Sequence, residues 1–327
     1  MSQAFERPPT LAPVSLAPVS FAAFETDFDR FARVLGDSFA RFGFAVISDH
    51  GLPQDRIEAA LAAAKAFFAL PEAVKLKYKV GAAGQRGYTP FGVETAKGHA
   101  HYDLKEFWHV GRDLPADHPA RAAMPANVWP DAEVPEFHVA VGWLYAALDA
   151  MGLKLLEALA AWLGVERNFF APTVDHGNSI LRLLHYPPIQ QEPGPQDGPH
   201  IRAAAHEDIN VITLLLGAEE AGLEVQDRDG RWIPLNPPPG ALVCNIGDML
   251  QRLSNHRLPS TTHRVVNPAP ERRGRARYST PFFLHFNPDY LIRTLPGCID
   301  AAHPDRRAPP ITADDFLQER LREIKLA

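Results

Sequence analysis

Between Phe24 and Phe42, apolar residues recur at helical spacing: Phe28, Phe31, Ala32, Val34, Leu35, Phe39 and Phe42. That pattern predicts a helix with one buried face. Phe44 to Ile47 is a short apolar run that stops at the turn signal Asp49-His50-Gly51, and reads as a strand. Pro53 to Leu70 predicts a second helix, and Pro71-Glu72 opens a short helical turn through Lys75. Glu136 to Trp162 is the longest helical pattern. Its apolar stretch, Val139 to Val165, is interrupted by Asp149, Lys154 and Glu157, so it reads as a buried helix of a globular core and not as a lipid-spanning segment.

The period then changes. Lys105 to Val110 alternates like a strand, between a Gly-rich, aromatic loop at 81–98 and a Pro-rich connection at 115–135. From Ser179 onward, short strands are expected at Ile180–His185, Val211–Leu216, Leu223–Gln226, Trp232–Pro234, Ala241–Ile246, Arg264–Val266 and Tyr278–His285. Many short strands with turns between them predict a sandwich or barrel. Thr312 to Ile324 reads as a closing helix, with Thr312 as its cap and Asp315 three residues on. Helices first and strands second would by themselves suggest two domains.

Composition narrows the function. The chain has 327 residues, 46% hydrophobic, enough for a sizeable core in one large domain or two small ones. Its net charge of −6 argues against a nucleic-acid partner, which needs a basic footprint. Only Cys244 and Cys298 are present, so neither a disulfide framework nor a cysteine zinc cluster is expected, and a reducing cytoplasm fits. Pro8, Pro9, Pro13 and Pro18 break any apolar run near the start, and no basic region precedes one, so no signal peptide is read there. The Leu-Ala-Pro-Val-Ser of 11–15 is copied at 16–20, too short for a repeat fold and suited to an extended lead-in.

The chemistry lies in His206-Glu207-Asp208 and, fifty-five residues after Asp208, in Thr262-His263-Arg264-Val265-Val266. In a strand, residues two apart share a face. His206 and Asp208 can then reach one ion, with His263 delivered by a later strand. Two imidazoles and one carboxylate form the facial set that suits non-haem Fe(II), with roughly three positions left on an octahedral ion. With 14 histidines in the chain, a lone His is more often structural; His200 and His256 compete for the role, and His256 sits in a turn-like segment. Arg277-Tyr278-Ser279 repeats the period-two device, presenting a guanidinium fork and a hydroxyl to a carboxylate. Arg272, Arg273 and Arg275 crowd the same stretch; the Ser two residues on and the apolar run starting at Tyr278 favour Arg277.

These blocks, together with Leu181-Arg182-Leu183-Leu184-His185-Tyr186-Pro187 and Arg41-Phe42-Gly43-Phe44, occur in an order that resembles the isopenicillin N synthase-like family of Fe(II)/2-oxoglutarate-dependent oxygenases, from about Val14 to Tyr290. The resemblance implies a mostly β fold with flanking helices: a double-stranded β-helix, or jelly-roll. It divides one structural unit into a lead-in at 1–20, a helical and mixed region at 21–175, a catalytic core at 176–290 and a C-terminal helix and tail at 291–327.

It also implies Fe(II) on His206, Asp208 and His263, with O₂ and 2-oxoglutarate as co-substrates. Arg277, Ser279 and Tyr186 would hold the far carboxylate of the keto acid, and no catalytic residue is expected beyond the metal centre. Many relatives carry Asn where Leu184 stands, near the metal-bound end of the keto acid, so the contact at that end is in question here. Asp248 reads as a turn or cap group. Arg86, Tyr88, Arg182, His185 and Phe283 are substrate candidates, each with packing as the alternative. The expected activity is oxidation of a small organic substrate by hydroxylation, desaturation or ring closure, with 2-oxoglutarate converted to succinate. An oxidase without 2-oxoglutarate and a non-catalytic jelly-roll binding protein stay open, and so does the oligomeric state.

Overall fold

The computed structural model describes residues 16–80, 85–93, 105–122, 124–188, 202–216, 222–267, 271 and 274–323. His200, Arg272, Arg273 and the first copy of the pentapeptide repeat lie outside them. The N-terminal half runs β1 (Val19–Ser20), α1 (Ala23–Thr26), α2 (Phe28–Phe42), β2 (Phe44–Ser48), α3 (Gln54–Phe68), α4 (Glu72–Lys75), β3 (Gly87–Thr89), β4 (Glu106–Gly111), α5 (Phe137–Leu163) and α6 (Ala171–Val174). Next come β5 (Ile180–Tyr186), β6 (Ala203–His206), β7 (Ile212–Leu216), β8 (Leu223–Gln226), β9 (Trp232–Pro234), β10 (Leu242–Ile246), α7 (Asp248–Leu253) and β11 (His263–Val265). The chain closes with β12 (Arg277–Ser279), β13 (Pro281–Leu284), β14 (Leu291–Ile292), β15 (Ile311–Thr312) and α8 (Ala313–Glu323).

The helix expected from Phe24 is broken at Asp27, whose extended backbone (φ −153°) ends α1 while its carboxylate accepts from Arg30 N at 3.3 Å and caps α2. Gly43 closes α2 in the left-handed region (φ 69°), a conformation that favours glycine. The strand expected over Tyr278–His285 is two strands, β12 and β13, parted at Thr280. β1, β14 and β15, at two residues each, were too short for any periodicity to show.

Two sheets carry the fold. The larger has nine strands, ordered β1-β2-β10-β7-β13-β5-β4-β3, with β12 also paired to β5; the smaller is β6-β11-β8-β9. From β5 onward the chain alternates between them: β5 large, β6 small, β7 large, β8 and β9 small, β10 large, β11 small, β12 and β13 large. That alternation is the double-stranded β-helix, and the two regions form one architecture: the helices pack on the large sheet.

Its period-two register separates two cores. Ile47, Cys244, Leu214, Phe282, Leu183 and Trp108 face the helical layer, where α5 contributes Leu144, Leu148, Leu155 and Leu159. Val46 and Val243 instead pack with Val225 and Leu235 inside the roll. With both faces covered, β2, β7 and β10 of the large sheet read as near-continuous apolar runs. Gly152 of α5 faces Leu284 of β13; a Cβ there would lie 2.5 Å from Leu284 Cδ1, so a larger residue would force that side chain to shift where helix and sheet approach. Phe137–Leu163 has the length and apolar content of a membrane-spanning helix, but here its buried stripe belongs to this core.

Candidate functional site

His206 is the last residue of β6 and His263 the first of β11, and the two are direct cross-strand partners in the small sheet. Their rings lie 4.4 Å apart, centre to centre. Asp208 lies just past the end of β6, so the irregular segment that follows the strand, and not the pleat, delivers it. The alternation expected of a strand gives the right residues by a different local geometry. Glu207 points away, as expected: it is exposed and accepts from Thr262 Oγ1 at 2.9 Å.

Asp208 Oδ1 stands 3.8 Å from His206 Nε2 and 3.9 Å from His263 Nε2. One donor atom from each residue falls within 4.8 Å of the others. His206 Nδ1 meets Ala204 O at 2.7 Å and His263 Nδ1 meets Thr261 O at 3.1 Å. A carbonyl only accepts, so each Nδ1 carries the proton and each Nε2 lone pair is left for the cluster. This arrangement fits a borderline divalent ion with two imidazole ligands and one carboxylate ligand.

His206 ends the edge strand β6 and is exposed. Water reaches 45% of its side chain, yet protein crowds the ring, and desolvation with neighbouring His263 pushes its pKa down to about 4. It is therefore neutral, as a metal ligand must be, across the ordinary pH range. Burial acts to raise the Asp208 pKa, but His263, His206 and hydrogen bonds from Asn245 and Thr213 outweigh it and hold the carboxyl below its usual value.

The second constellation belongs to the large sheet. β12 pairs with β5 so that Arg277 opposes Tyr186 and Ser279 opposes Leu184. Arg277 and Ser279 are buried, and the guanidinium carbon lies 5.4 Å from the centre of the Tyr186 ring. A second guanidinium, Arg202, approaches the same ring at 6.0 Å. Leu184 packs with Phe107 and Tyr186 in a small apolar cluster and offers no polar atom.

The substrate candidates separate by strand parity. Arg182 shares its face of β5 with Leu184 and Tyr186. Its guanidinium lies 4.5 Å from the Phe107 ring centre and 5.5 Å from that of Phe283, and its Nε donates to His109 Nε2 at 2.6 Å. His185 faces the other way, stacked on Tyr278 and bonded to Glu106 Oε1 at 2.7 Å. For Arg86 and Tyr88, burial favours the packing alternative. Arg86 is fully buried against Gly111 and donates to Gln85 O and Asn178 Oδ1. Tyr88 is equally inaccessible and donates its hydroxyl to Glu106. Both belong to the wall.

His256 is exposed, with φ 61°, and is no part of the cluster. Asp248 opens α7 and pairs with Arg320 at 3.1 Å. Thr213 and Asn245, which touch Asp208, are residues beside the cluster that the motifs did not single out. The available signal was a lone polar residue within a buried apolar strand, as at Thr213 in Val211–Leu216.

Comparison with known proteins adds the context. Residues 16–132 match the model of the non-haem dioxygenase N-terminal region, described from morphine synthesis, and residues 177–286 match the 2OG-Fe(II) oxygenase superfamily. A 2-oxoglutarate-Fe(II) type oxidoreductase, hxnY of Emericella nidulans, is 36% identical over 286 residues, covering 84% of this chain and 79% of its own. The crystal structure of a 2OG-Fe(II) oxygenase family protein from Caulobacter crescentus superposes with a TM-score of 0.88 at 63% identity, covering 96% of this chain and all of that one. A full-length Neurospora crassa protein crystallised in complex with alpha-KG and thymine gives 0.81 at 29% identity, covering 93% and 96%.

Proposed function

Since the chain belongs to the 2OG-Fe(II) oxygenase superfamily, we propose that His206, Asp208 and His263 hold its iron, and that Arg277, Ser279 and Tyr186 bind the far carboxylate of 2-oxoglutarate. The protein is an Fe(II)- and 2-oxoglutarate-dependent dioxygenase that acts on a small organic substrate. Iron and O₂, when bound, supply the oxidising power that couples decarboxylation of the keto acid to succinate with oxidation of the substrate. The protein's part is to bind, orient and shield. Its imidazoles are preset in one tautomer, and Arg277 offers a planar fork from a buried strand. Leu184 contributes packing only, so the near end of the keto acid receives no hydrogen bond from that position.

The observation that carries this reading is the convergence of two motifs distant in sequence. The triad from the small sheet and the Arg277–Tyr186 pair from the large sheet belong to one roll, with relatives named for 2-oxoglutarate on both sides of the comparison. Those names favour the oxygenase over an oxidase working without the keto acid. For the substrate, we take Arg182 and Phe283 as the contacts, a guanidinium beside an aromatic ring suited to a planar, acceptor-bearing molecule. The thymine bound in the Neurospora crassa protein supports that class. Division near residue 176 accords with the two family matches, and two buried free thiols support a reducing, cytoplasmic setting. The test is an anaerobic titration of the Fe(II) protein with 2-oxoglutarate, followed by a screen of planar heterocycles for succinate release. No visible charge-transfer band and no succinate would remove the 2-oxoglutarate reading.

A further inference from the structure

The two oxygens of Asp208 lie in different surroundings. Oδ1 faces the two Nε2 atoms. Oδ2 accepts from Thr213 Oγ1 at 2.5 Å and from Asn245 Nδ2 at 2.8 Å. Thr213 and Asn245 are themselves buried, at 3% and 4% exposure, on adjacent paired strands: β7 and β10 align Asn245 opposite Thr213. Asn210 Nδ2 donates to Thr213 Oγ1 at 3.0 Å, and the single proton of that hydroxyl favours the carboxylate of Asp208, at 2.5 Å, over Asn210 Oδ1, at 3.4 Å.

The backbone around Asp208 is held as firmly. Asp248 N donates to Asp208 O at 2.8 Å, Gly247 N to Val211 O at 2.9 Å and Met249 N to Asn210 O at 3.1 Å. The packing is so close that a Cβ on Gly247 would lie 2.1 Å from Asn210 O. With the main chain tied down, the carboxylate's orientation depends only on its side-chain torsions, and those are set from two sides by the large sheet.

We infer that Thr213 and Asn245 are positioning residues that hold Asp208 to one-oxygen ligation, keeping the remaining metal positions open for the keto acid. The inference rests on the triad reading above. A carboxylate with both oxygens free can swing to chelate a divalent ion through both. Here the second oxygen is occupied by two donors, one at the short end of the range for a charge-assisted bond. Neither residue touches the ion or the substrate; both act through Asp208.

The test uses the full chain with Fe(II) or Co(II) alone, without oxygen, and then with 2-oxoglutarate. Thr213→Val and Asn245→Leu each remove one donor at similar volume, and partners of this kind typically tune metal affinity ~10–100-fold. The expected result is a loss of that order for each variant. Once the site is saturated with metal, the Co(II) ligand-field spectrum should also change, and the Fe(II)–keto acid band should need more 2-oxoglutarate. Thr213→Ser keeps the hydroxyl and should restore both readouts, which a change that merely loosened the fold would not do. Circular dichroism of the metal-free variants identifies the folded ones, and if Thr213→Val does not fold, Asn245→Leu carries the same expectation.

Wild-type affinity and spectra in a folded variant, while His263→Ala loses the metal, would overturn the inference alone. If His263→Ala binds metal like the wild type, the triad reading itself fails.

Discussion

The two sheets that form the roll are built to different standards. The large one has nine strands, is buried on both faces, and carries Tyr186, Arg277 and Ser279 in paired, interior register. The small one has four strands of three or four residues, and its edge strand β6 ends at His206, nearly half open to water. The proposed keto-acid clamp thus sits in a frame that the core holds whether or not a ligand is present. The proposed metal ligands join a short strand, its neighbour and the segment that follows β6, and an ion bound there would link all three. Rigidity is intrinsic on one side and supplied in part by ligation on the other.

The largest expected effect tests the rigid side. On its helical face, Glu106 of β4 accepts from Lys75 Nζ at 2.7 Å and from His185 and Tyr88, almost wholly out of water. Breaking a buried pair leaves an uncompensated charge, so Glu106→Gln should cost ~3–5 kcal/mol in denaturant unfolding of the metal-free protein. Burial acts to raise the Glu106 pKa, but the bonds from His185, Lys75 and Tyr88 prevail and hold it below the ordinary value. A group with a depressed folded pKa stabilises the protein fully above its unfolded pKa, about 4.3, and loses that contribution as pH falls through the folded value. The wild type should therefore lose stability in acid below about pH 4 more steeply than Glu106→Gln. Equal acid sensitivity in the two proteins would mean that the network is not what holds this wall.

Second in size is the small sheet. Outer partners of a ligand already cost up to ~100-fold, so loss of a ligand should cost at least that. His206→Ala, Asp208→Ala and His263→Ala should each weaken Fe(II) by this factor, whereas His256→Ala should bind like the wild type. Binding stabilises by mass action, about 2.7 kcal/mol at a hundredfold excess over Kd. Melting with and without metal should therefore show a shift in the wild type and in His256→Ala and none in the ligand variants. Amide exchange that slows in β6 and β11 on metal addition, but not in β5 and β12, would sharpen the contrast between sheets; equal protection of both would break it.

What the sequence disclosed follows from the same contrast. The motifs of the proposed site, His206-Asp208-His263 and Arg277-Tyr278-Ser279, stood out because ligand chemistry restricts residue type and spacing. The sidedness of the substrate candidates was not, because one step of register moves a side chain to the opposite face. β3 pairs Tyr88 with Trp108, on the helical side, and β4 pairs Glu106 with His185 there too, while Arg182 aligns with His109 on the interior side. A Gly-rich, aromatic segment announces a loop but not the strand it pairs with. Thr213 and Asn245 were hidden for a related reason: a polar residue in an apolar run shows its purpose only when the partner facing it is known.

The third prediction returns to the large sheet. A charge-assisted hydrogen bond contributes ~1.5–3 kcal/mol, so Arg277→Ala should weaken 2-oxoglutarate by at least about tenfold with iron still bound. Arg277→Lys should recover part of this, because an ammonium is a point charge and not a planar fork. Arg273→Ala is the control, since Arg273 is the nearer to His263 in sequence. The readout is the visible band of the Fe(II)–keto acid chelate, titrated without oxygen. A shift from Arg273→Ala and none from Arg277→Ala would move the assignment to Arg273.

The smallest effect repeats the first chemistry in the other sheet. Arg264 of β11 and Glu224 of β8 are direct cross-strand partners, 2.7 Å apart. Their side chains stay 31% and 19% exposed, against 8% and 1% for Lys75 and Glu106. Water solvates both charges whether or not they meet, and Arg264 keeps its stacking 4.0 Å above the Trp232 ring when its partner is neutralised. Glu224→Gln should therefore cost only ~0.2–1 kcal/mol. Even that should shrink at 1 M salt, where the screening length falls to about 3 Å. Thermal melts at low and high salt measure both quantities. A loss as large as that of Glu106→Gln, insensitive to salt, would show that the small sheet is held by its own polar contacts as firmly as the large one, and the contrast between the two would fail at its weakest point.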